Sequence, residues 1–322
     1  MSPRVVAVVV AYNRRELVTE TLAALTRQDR RPDAIVVVDN ASDDGSGDAV
    51  AAGFPEVSLL RLERNTGGAG GFTVGIVEAI TEQGADLVWL MDDDTVPDPG
   101  ALAALLSVRD HTPAGTVVLA SAVRWIDGRP HPMNTPRVHP FATRRSVERA
   151  GAFQCYPVRS ASFVSILIEA SAIRRAGLPI ADYFLWNDDF EFSSRLLRSG
   201  RGYLCRGSTV EHRTKTFGST DVDPGARFYF EVRNKIWLLR YSSALSGAER
   251  VLYAGATLRN WTRTIRKSSD RTTLFRGLRS GVKDGMSRPP RSNTEVLSGL
   301  GAVTDAVGRF EAGIPESDPG GA

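Results

Sequence analysis

Asp92, Asp93 and Asp94 stand in a row at the end of the apolar stretch VWLM and are followed by TVPDPG. Adjacent carboxylates repel one another as anions, and a solvated turn would be the simplest way to accommodate them. The stretch before them is apolar, so the repulsion is not readily spread into a polar surface segment. A divalent cation relieves it by taking oxygen ligands from alternate residues. A second acidic group, Asn187, Asp188, Asp189 and Glu191, opens the helical pattern in FLWNDDFEFSSRLLRSG. One N-cap from Asn187 or Asp188, with the following acids on the helix dipole, would satisfy that helix end. The two aspartates and Glu191, flanked by Leu185, Trp186, Phe190 and Phe192, exceed that need. A carboxylate beside apolar rings has its pKa pushed toward the range of a general base. His212, in STVEHRTKTFGS, follows a strand-like run beside Arg213 and Lys215. A carboxylate pair plus one imidazole suits a manganese-like ion that also carries phosphate oxygens. RNTGGAGGF, residues 64–72, has neither GxGxxG spacing nor the lysine of a phosphate-cradling loop, so both motifs are excluded. Its glycines either let backbone approach a ligand closely or form a plain loop.

The elements that must position these groups are legible as hydrophobic periods. Val5–Ala11 is a continuous, β-branched run, as in a parallel strand buried on both faces, and residues 15–28 then show helical spacing. Residues 34–38, 57–62 and 87–91 predict further strands, and residues 75–82 a helix after the glycine-rich loop. Strand and helix alternate with short connections, which predicts an open α/β sheet with ligands beyond the strands' carboxyl ends. Mixed strands and loops follow over residues 117–171, then helices over residues 171–175, 188–199 and 228–239 and from 248 onward.

The chain has 322 residues and a net charge of +3, with 42% apolar and 24% charged residues, which predicts a folded globular protein. Cys155 and Cys205 are far apart in sequence and lack CxxC spacing, which excludes a thiolate zinc site and favours a reducing compartment. The opening apolar run is too short for a signal peptide or a membrane span. Residues 240–292 concentrate arginine and lysine and should prefer an anionic neighbour. A nucleic-acid partner is not expected, because no recognised binding module or stacking platform is present. Helices carrying Leu252, Leu258, Trp261 and Leu274 among arginines suit adsorption to anionic lipid, against a solvated face or an oligomer contact.

In their order, VVVAYNR, VVDNASDDGS, RNTGGAGGF, WLMDDDTVPDP, WNDDFEFSSRLLRSG and EHRTK resemble the family 2 inverting glycosyltransferases of GT-A fold. The resemblance spans roughly residues 4–240 and is strongest to bacterial galactofuranosyl- and rhamnosyltransferases. It implies an α/β GT-A domain over 1–240; beyond it, the composition predicts a basic helical extension over 241–312 and a disordered Pro/Gly tail over 313–322. The resemblance implies that Asp92 and Asp94 hold Mn2+ or Mg2+ with His212, that Asp189 is the catalytic base, and that Asp188 and Trp186 shape the acceptor site. The usual Glu-Asp pair is Asp188-Asp189 here, which leaves the base open between neighbours. Ala11, Tyr12, Arg14, Asp39, Asn65, Gly67, Gly68, Asp92 and Asp93 would contact the nucleotide sugar. The implied reaction is transfer from UDP-galactofuranose or dTDP-rhamnose to a lipid-linked or cell-envelope glycan, by a cytoplasmic enzyme peripheral on the inner face of the plasma membrane. The alternatives are a sugar-phosphate nucleotidyltransferase, whose N-terminal lysine-ended loop is missing after Val10, and a non-catalytic glycan-binding module.

Overall fold

The computed structural model describes residues 2–132, 134, 136–139, 142–217 and 223–313. The tail expected to be disordered lies, apart from Gly313, outside the described residues. In chain order the elements begin β1 (Val5–Ala11), α1 (Arg15–Thr26), β2 (Ala34–Asp39), α2 (Ser46–Gly53), β3 (Ser58–Arg61), α3 (Gly67–Thr81), β4 (Leu87–Asp92), β5 (Thr95–Pro97) and α4 (Ala101–His111). The middle of the chain forms β6 (Thr116–Arg124), β7 (Arg137–Val138), α5 (Arg144–Gly151), β8 (Cys155–Ser160), β9 (Ile166–Glu169), α6 (Ala170–Ala176), α7 (Asp188–Leu196) and β10 (Arg201–His212). The remainder is helical: α8 (Phe228–Arg240), α9 (Gly247–Lys267), α10 (Arg271–Ser287), α11 (Asn293–Val296) and α12 (Ala302–Ala312).

One mixed sheet runs β3-β2-β1-β4-β9-β6-β10-β8-β7, with β5 paired to β10. Its first four strands are parallel, and β9 enters antiparallel between β4 and β6. Alternation along β1 explains its unbroken apolar run. Val6, Val8 and Val10 pack with Phe72 and Ile76 on one face, while Val5, Ala7 and Val9 pack with Leu22, Leu25 and Trp89 on the other. Each such side chain contributes roughly 1.5–3 kcal/mol when fully buried.

The glycine-rich segment is helix rather than the expected loop, because α3 starts at Gly67. Gly71 and Gly75, four residues apart, face β1, and a Cβ there would sit 2.5 Å from Val10 Cγ1 and 2.4 Å from Val8 Cγ1. These glycines bring the helix axis onto the strand. α10 meets α8 in the same way: Cβ atoms at Gly277, Gly281 and Gly285 would lie 3.1 Å from Tyr229 N, 2.8 Å from Val232 Cβ and 2.9 Å from Ile236 Cβ. The helical extension shares the core of the sheet domain. Leu297, Leu300, Val307 and Phe310 belong to the cluster that contains α3, and Glu249 of α9 pairs with buried Arg159 of β8 at 2.5 Å. Among the described residues no helix is long and apolar enough to cross a membrane.

Candidate active site

The chain leaves β1 toward β2 and β3 and returns through α3 to β4 on the other side of β1, so strand order reverses between the carboxyl ends of β1 and β4. Open α/β sheets take ligands in such a crevice. Asp92 closes β4 opposite Val10, and Asp93 and Asp94 form the turn into β5, which pairs His212 of β10 with Thr95. The backbone N–H of Arg213 donates to the Asp94 carbonyl at 2.9 Å and fastens the end of β10 to the acidic turn. One ligand atom from each of Asp92, Asp94 and His212 lies within 4.8 Å of the others.

The donor chemistry of this cluster fits a divalent cation. Nδ1 of His212 lies 2.8 Å from Asn134 Oδ1, which fixes the hydrogen on Nδ1 and presents the Nε2 lone pair to the carboxylates. Asp94 Oδ1 lies 2.9 Å from that Nε2, buried, and accepts no well-aligned hydrogen bond. Two lone pairs at that distance need a positive charge between them. Burial works against the His212 cation, but Asp94 and Asp92 outweigh it and raise its affinity for a proton; the same field favours a metal. Burial pushes Asp92 up to about 6, with the Asp94 charge adding to it. Asp94 is pushed up by burial but held below its ordinary value by His212 and Arg14.

The second carboxylate group sits on the opposite side of the crevice at the start of α7. Asp188 is buried and its pKa is raised far above the ordinary carboxylate range, by burial and then by the Asp189 charge. Asp189 is less enclosed; burial raises it, while the Phe190 N–H (2.6 Å) and the charges of Lys235 and Arg137 oppose the rise. The Asp189 charge adds to the rise at Asp92 and the Asp92 charge to the rise at Asp188, so the two acidic groups lie near enough to feel one another.

The segment before α7 is held under backbone strain. Phe184 (φ 62°, ψ −59°) makes a γ-turn closed by Leu185 N–H to the Tyr183 carbonyl at 2.6 Å, and Trp186 (φ 64°) and Asn187 (φ 66°) are left-handed. Asn234 of α8, fully buried, offsets that strain. Its Nδ2 lies 2.9, 2.9 and 2.8 Å from the carbonyl oxygens of Tyr183, Leu185 and Trp186. Arg233 Nη2 adds bonds to the Asp182 and Tyr183 carbonyls at 2.6 and 3.1 Å.

The expected helix cap is missing, and most of the residues expected at the nucleotide sugar have partners within the protein as well. No side chain caps α7: Asn187 stands at the cap, but its Nδ2 donates to Glu231 Oε2 at 2.7 Å, drawn away by α8. Ala11 packs its methyl into the core and exposes 1% of its surface, so only its main chain reaches the crevice. Asp93 turns inward: Oδ2 accepts the Tyr12 N–H at 3.0 Å, and burial pushes its pKa up to about 7. It braces the loop after β1. Arg14 pairs with Asp94 and, at 3.4 Å, with Asp93, offsetting the charge of the acidic turn. Asp39, buried, accepts Ser42 N–H at 3.0 Å and lies where a Cβ on Gly47 would clash. Gly67 (φ +72°) is required by the packing of the protein, since a Cβ there would clash with the Phe184 carbonyl oxygen. Asn65 caps its N–H at 2.7 Å, and Gly68 faces open space. Tyr12 and Trp186 stand at the crevice, with Tyr12 exposed and Trp186 half-buried.

Sequence reasoning passed over Asn134, Asn234 and Asn40, whose Nδ2 and Oδ1 bind Gly67 O and Thr66 N. Lone asparagines carry no spacing signal. It also gave no hint that Cys155 and Cys205, both free and buried, face each other across β8 and β10. A cavity of about 580 Å³ lined by Pro3, Asp86, Arg109, Glu169 and Arg174 lies at the amino ends of β1 and β4, the wrong end of the sheet for this chemistry.

Residues 6–169 match the model of the family described as glycosyl transferase family 2. Galactofuranosyltransferase GlfT1 of Mycobacterium tuberculosis (strain ATCC 25618 / H37Rv) is 34% identical over 260 residues, covering 74% of this chain and 83% of that protein. The N-acetylglucosaminyl-diphospho-decaprenol L-rhamnosyltransferase of the same organism is 24% identical over 250 residues, covering 68% and 78%. Among solved structures, the mannosyltransferase PcManGT from Pyrobaculum calidifontis, in complex with GDP-Man and Mn2+, superposes with a TM-score of 0.57 at 18% identity, covering 97% of this chain and 88% of that one. S. aureus TarS 1-349 in complex with UDP gives a TM-score of 0.53 at 15% identity, covering 95% and 91%. The fold is GT-A.

Proposed function

This chain belongs to glycosyl transferase family 2, and from that premise we propose that it transfers a sugar with inversion from a nucleotide diphosphate to a hydroxyl of a lipid-linked or cell-envelope glycan. UDP-galactofuranose is the favoured donor over dTDP-rhamnose, because the galactofuranosyl relative is the more similar at 34% against 24% identity. The observation that carries the reading is the Asp92, Asp94 and His212 cluster at the β1/β4 crevice with Asp189 in electrostatic reach. Mn2+ or Mg2+ held by those three residues would supply Lewis-acid neutralisation of the leaving diphosphate.

The protein's own groups do the rest. Asp189 accepts the acceptor's hydroxyl proton, and the oxygen attacks the anomeric carbon from the face opposite the nucleotide. The bond to the diphosphate breaks with its electron pair leaving on the nucleotide. Asp189 is the better placed base of the two: it is less enclosed than Asp188, and the Phe190 N–H and the charges of Lys235 and Arg137 oppose the rise of its pKa, whereas burial and the Asp189 charge push Asp188 far upward. Tyr12, exposed at the end of β1, is suited to stack on the nucleoside, and Trp186 to wall the acceptor. Residues 1–240 form the catalytic unit, and 241–312 an extension whose outer surface meets anionic membrane. On α10, Phe275, Val282 and Met286 are exposed beside Arg276, Arg279 and Lys283 at helical spacing.

The test is donor binding and transfer measured separately. With Mn2+ present, Asp94→Ala and His212→Ala should lose UDP affinity in calorimetry. Asp189→Asn should bind UDP normally and lose transfer by about 100-fold or more, and Asp188→Asn should lose far less. Wild-type turnover by Asp189→Asn would reject it as the base, and metal-independent UDP affinity in all proteins would reject the cation site.

A further inference from the structure

Lys235 extends from α8 toward Asp189 and is only 9% exposed. Among the described residues its ammonium makes no hydrogen bond or ion pair; its contact is the ring of Phe190, 4.9 Å from Nζ to centroid. Carboxylates act on it only through space: Glu231 of its own helix, whose oxygens accept from Asn187 at 2.7 Å and Trp261 at 3.4 Å, and Asp189. Arg137, on β7, approaches the same Phe190 ring at 5.1 Å and the Tyr253 ring at 5.7 Å. The other cations of α8 are taken, Arg233 by the carbonyls before α7 and Arg240 by the Met286 carbonyl at 3.0 Å.

A buried ammonium with no acceptor, near a second cation of the same sign, is as unfavourable as the packed carboxylates across the crevice, and an anion relieves it. Asp189 does not fill that role, since it makes no ion pair with either cation among the described residues and its Oδ1 accepts the Phe190 N–H at 2.6 Å. The two sides of the crevice are thus complementary in what they lack. The acidic side calls for a cation and the α8 side for an anion.

We propose that Lys235 and Arg137 form an anion subsite beside Asp189 that receives a phosphate group of the acceptor. The enzyme would then select a phosphorylated glycan, the phosphate lying on the α8 side and the hydroxyl at Asp189. The proposal rests on the transferase reading above and adds the acceptor's charge to it.

The experiment uses one sugar acceptor in two forms, a neutral alkyl glycoside and the corresponding alkyl-diphosphate ester, with wild type, Lys235→Met and Arg137→Gln. Lys235→Met should raise KM for the phosphorylated acceptor by about tenfold or more, the weight of a lost charged hydrogen bond, and leave KM for the neutral one unchanged. UDP affinity should stay the same. An equal KM change for both acceptors overturns the subsite, and a loss of UDP affinity overturns it in favour of the donor's phosphates. Calorimetry of the two acceptors on the UDP-loaded protein reads the same contrast without turnover, so a wild type that binds the phosphorylated form selectively but transfers nothing contradicts the transferase reading alone. Replacing an unpaired buried cation by Met should not lower Tm, which separates the effect from misfolding.

Discussion

Asn234→Leu is nearly isosteric and removes only the amide. In the native protein one Nδ2 serves the carbonyls of Tyr183, Leu185 and Trp186, all within 2.9 Å. That nitrogen carries two hydrogens shared among the three carbonyls, so at about 0.5–1.5 kcal/mol net for each neutral hydrogen bond roughly 1–3 kcal/mol disappears. Opposing it is the strain of Phe184, Trp186 and Asn187, at about 1–3 kcal/mol for each such residue. Summed over the three residues the strain is roughly 3–9 kcal/mol, at least as large as what Asn234 supplies. The loop should therefore relax locally in the variant, and the start of α7 should lose its fixed position over the crevice. The expected result is a Tm lowered by several degrees, UDP affinity in Mn2+ unchanged, and kcat reduced by about 100-fold, since an ångström of misplacement at a reacting group costs about that much. Steady-state kinetics with calorimetry decides it. Full kcat in a folded Leu variant would show that Asn234 does not position the base, and parallel loss of UDP affinity would show a general collapse.

Asp182 is raised by burial, but Arg291 and Arg288 bring it down to about 2, below its unfolded value. A depressed carboxylate stabilises the fold above the unfolded pKa, and that contribution is lost as pH falls toward the folded value. With half-exposed arginines as partners the contribution is about 1–2 kcal/mol. The stability gap between wild type and Asp182→Asn in urea should thus be full near neutrality and close between about pH 4 and 2; a gap independent of pH would refute the assignment. For membrane adsorption, the wild type should co-float with vesicles containing phosphatidylglycerol and not with phosphatidylcholine alone. Changing Phe275, Val282 and Met286 together to Ser should abolish flotation at unchanged Tm, and equal flotation of both proteins would refute a role for that face.

The strands and the acidic motifs were legible because their signals are local. A β-branched run such as Val5–Ala11 reports a doubly covered strand, and crowded carboxylates report a demand for charge. The glycines were legible as residues but not in role. That Gly71 and Gly75 serve helix-to-strand contact depends on Val10 and Val8, about sixty residues earlier in the chain. The asparagines were illegible for a related reason. Asn234 gains its meaning from carbonyls that face it only after α8 has packed against the turn at 183–187. Asp93 shares the composition of its neighbours, but in the turn after β4 its carboxylate also accepts the Tyr12 main-chain N–H, a contact that no local pattern reports.

Gly67 has a consequence for anyone redesigning this enzyme. Its missing side chain is the space in which the Phe184 carbonyl rests, and Ala69 N–H meets that same oxygen at 3.3 Å. The stretch opening α3 and the turn that delivers Asp188 and Asp189 are thereby mechanically one part. Exchanging the 64–72 stretch for that of another transferase would displace those two carboxylates with it, so such a graft must carry residues 181–189 as well.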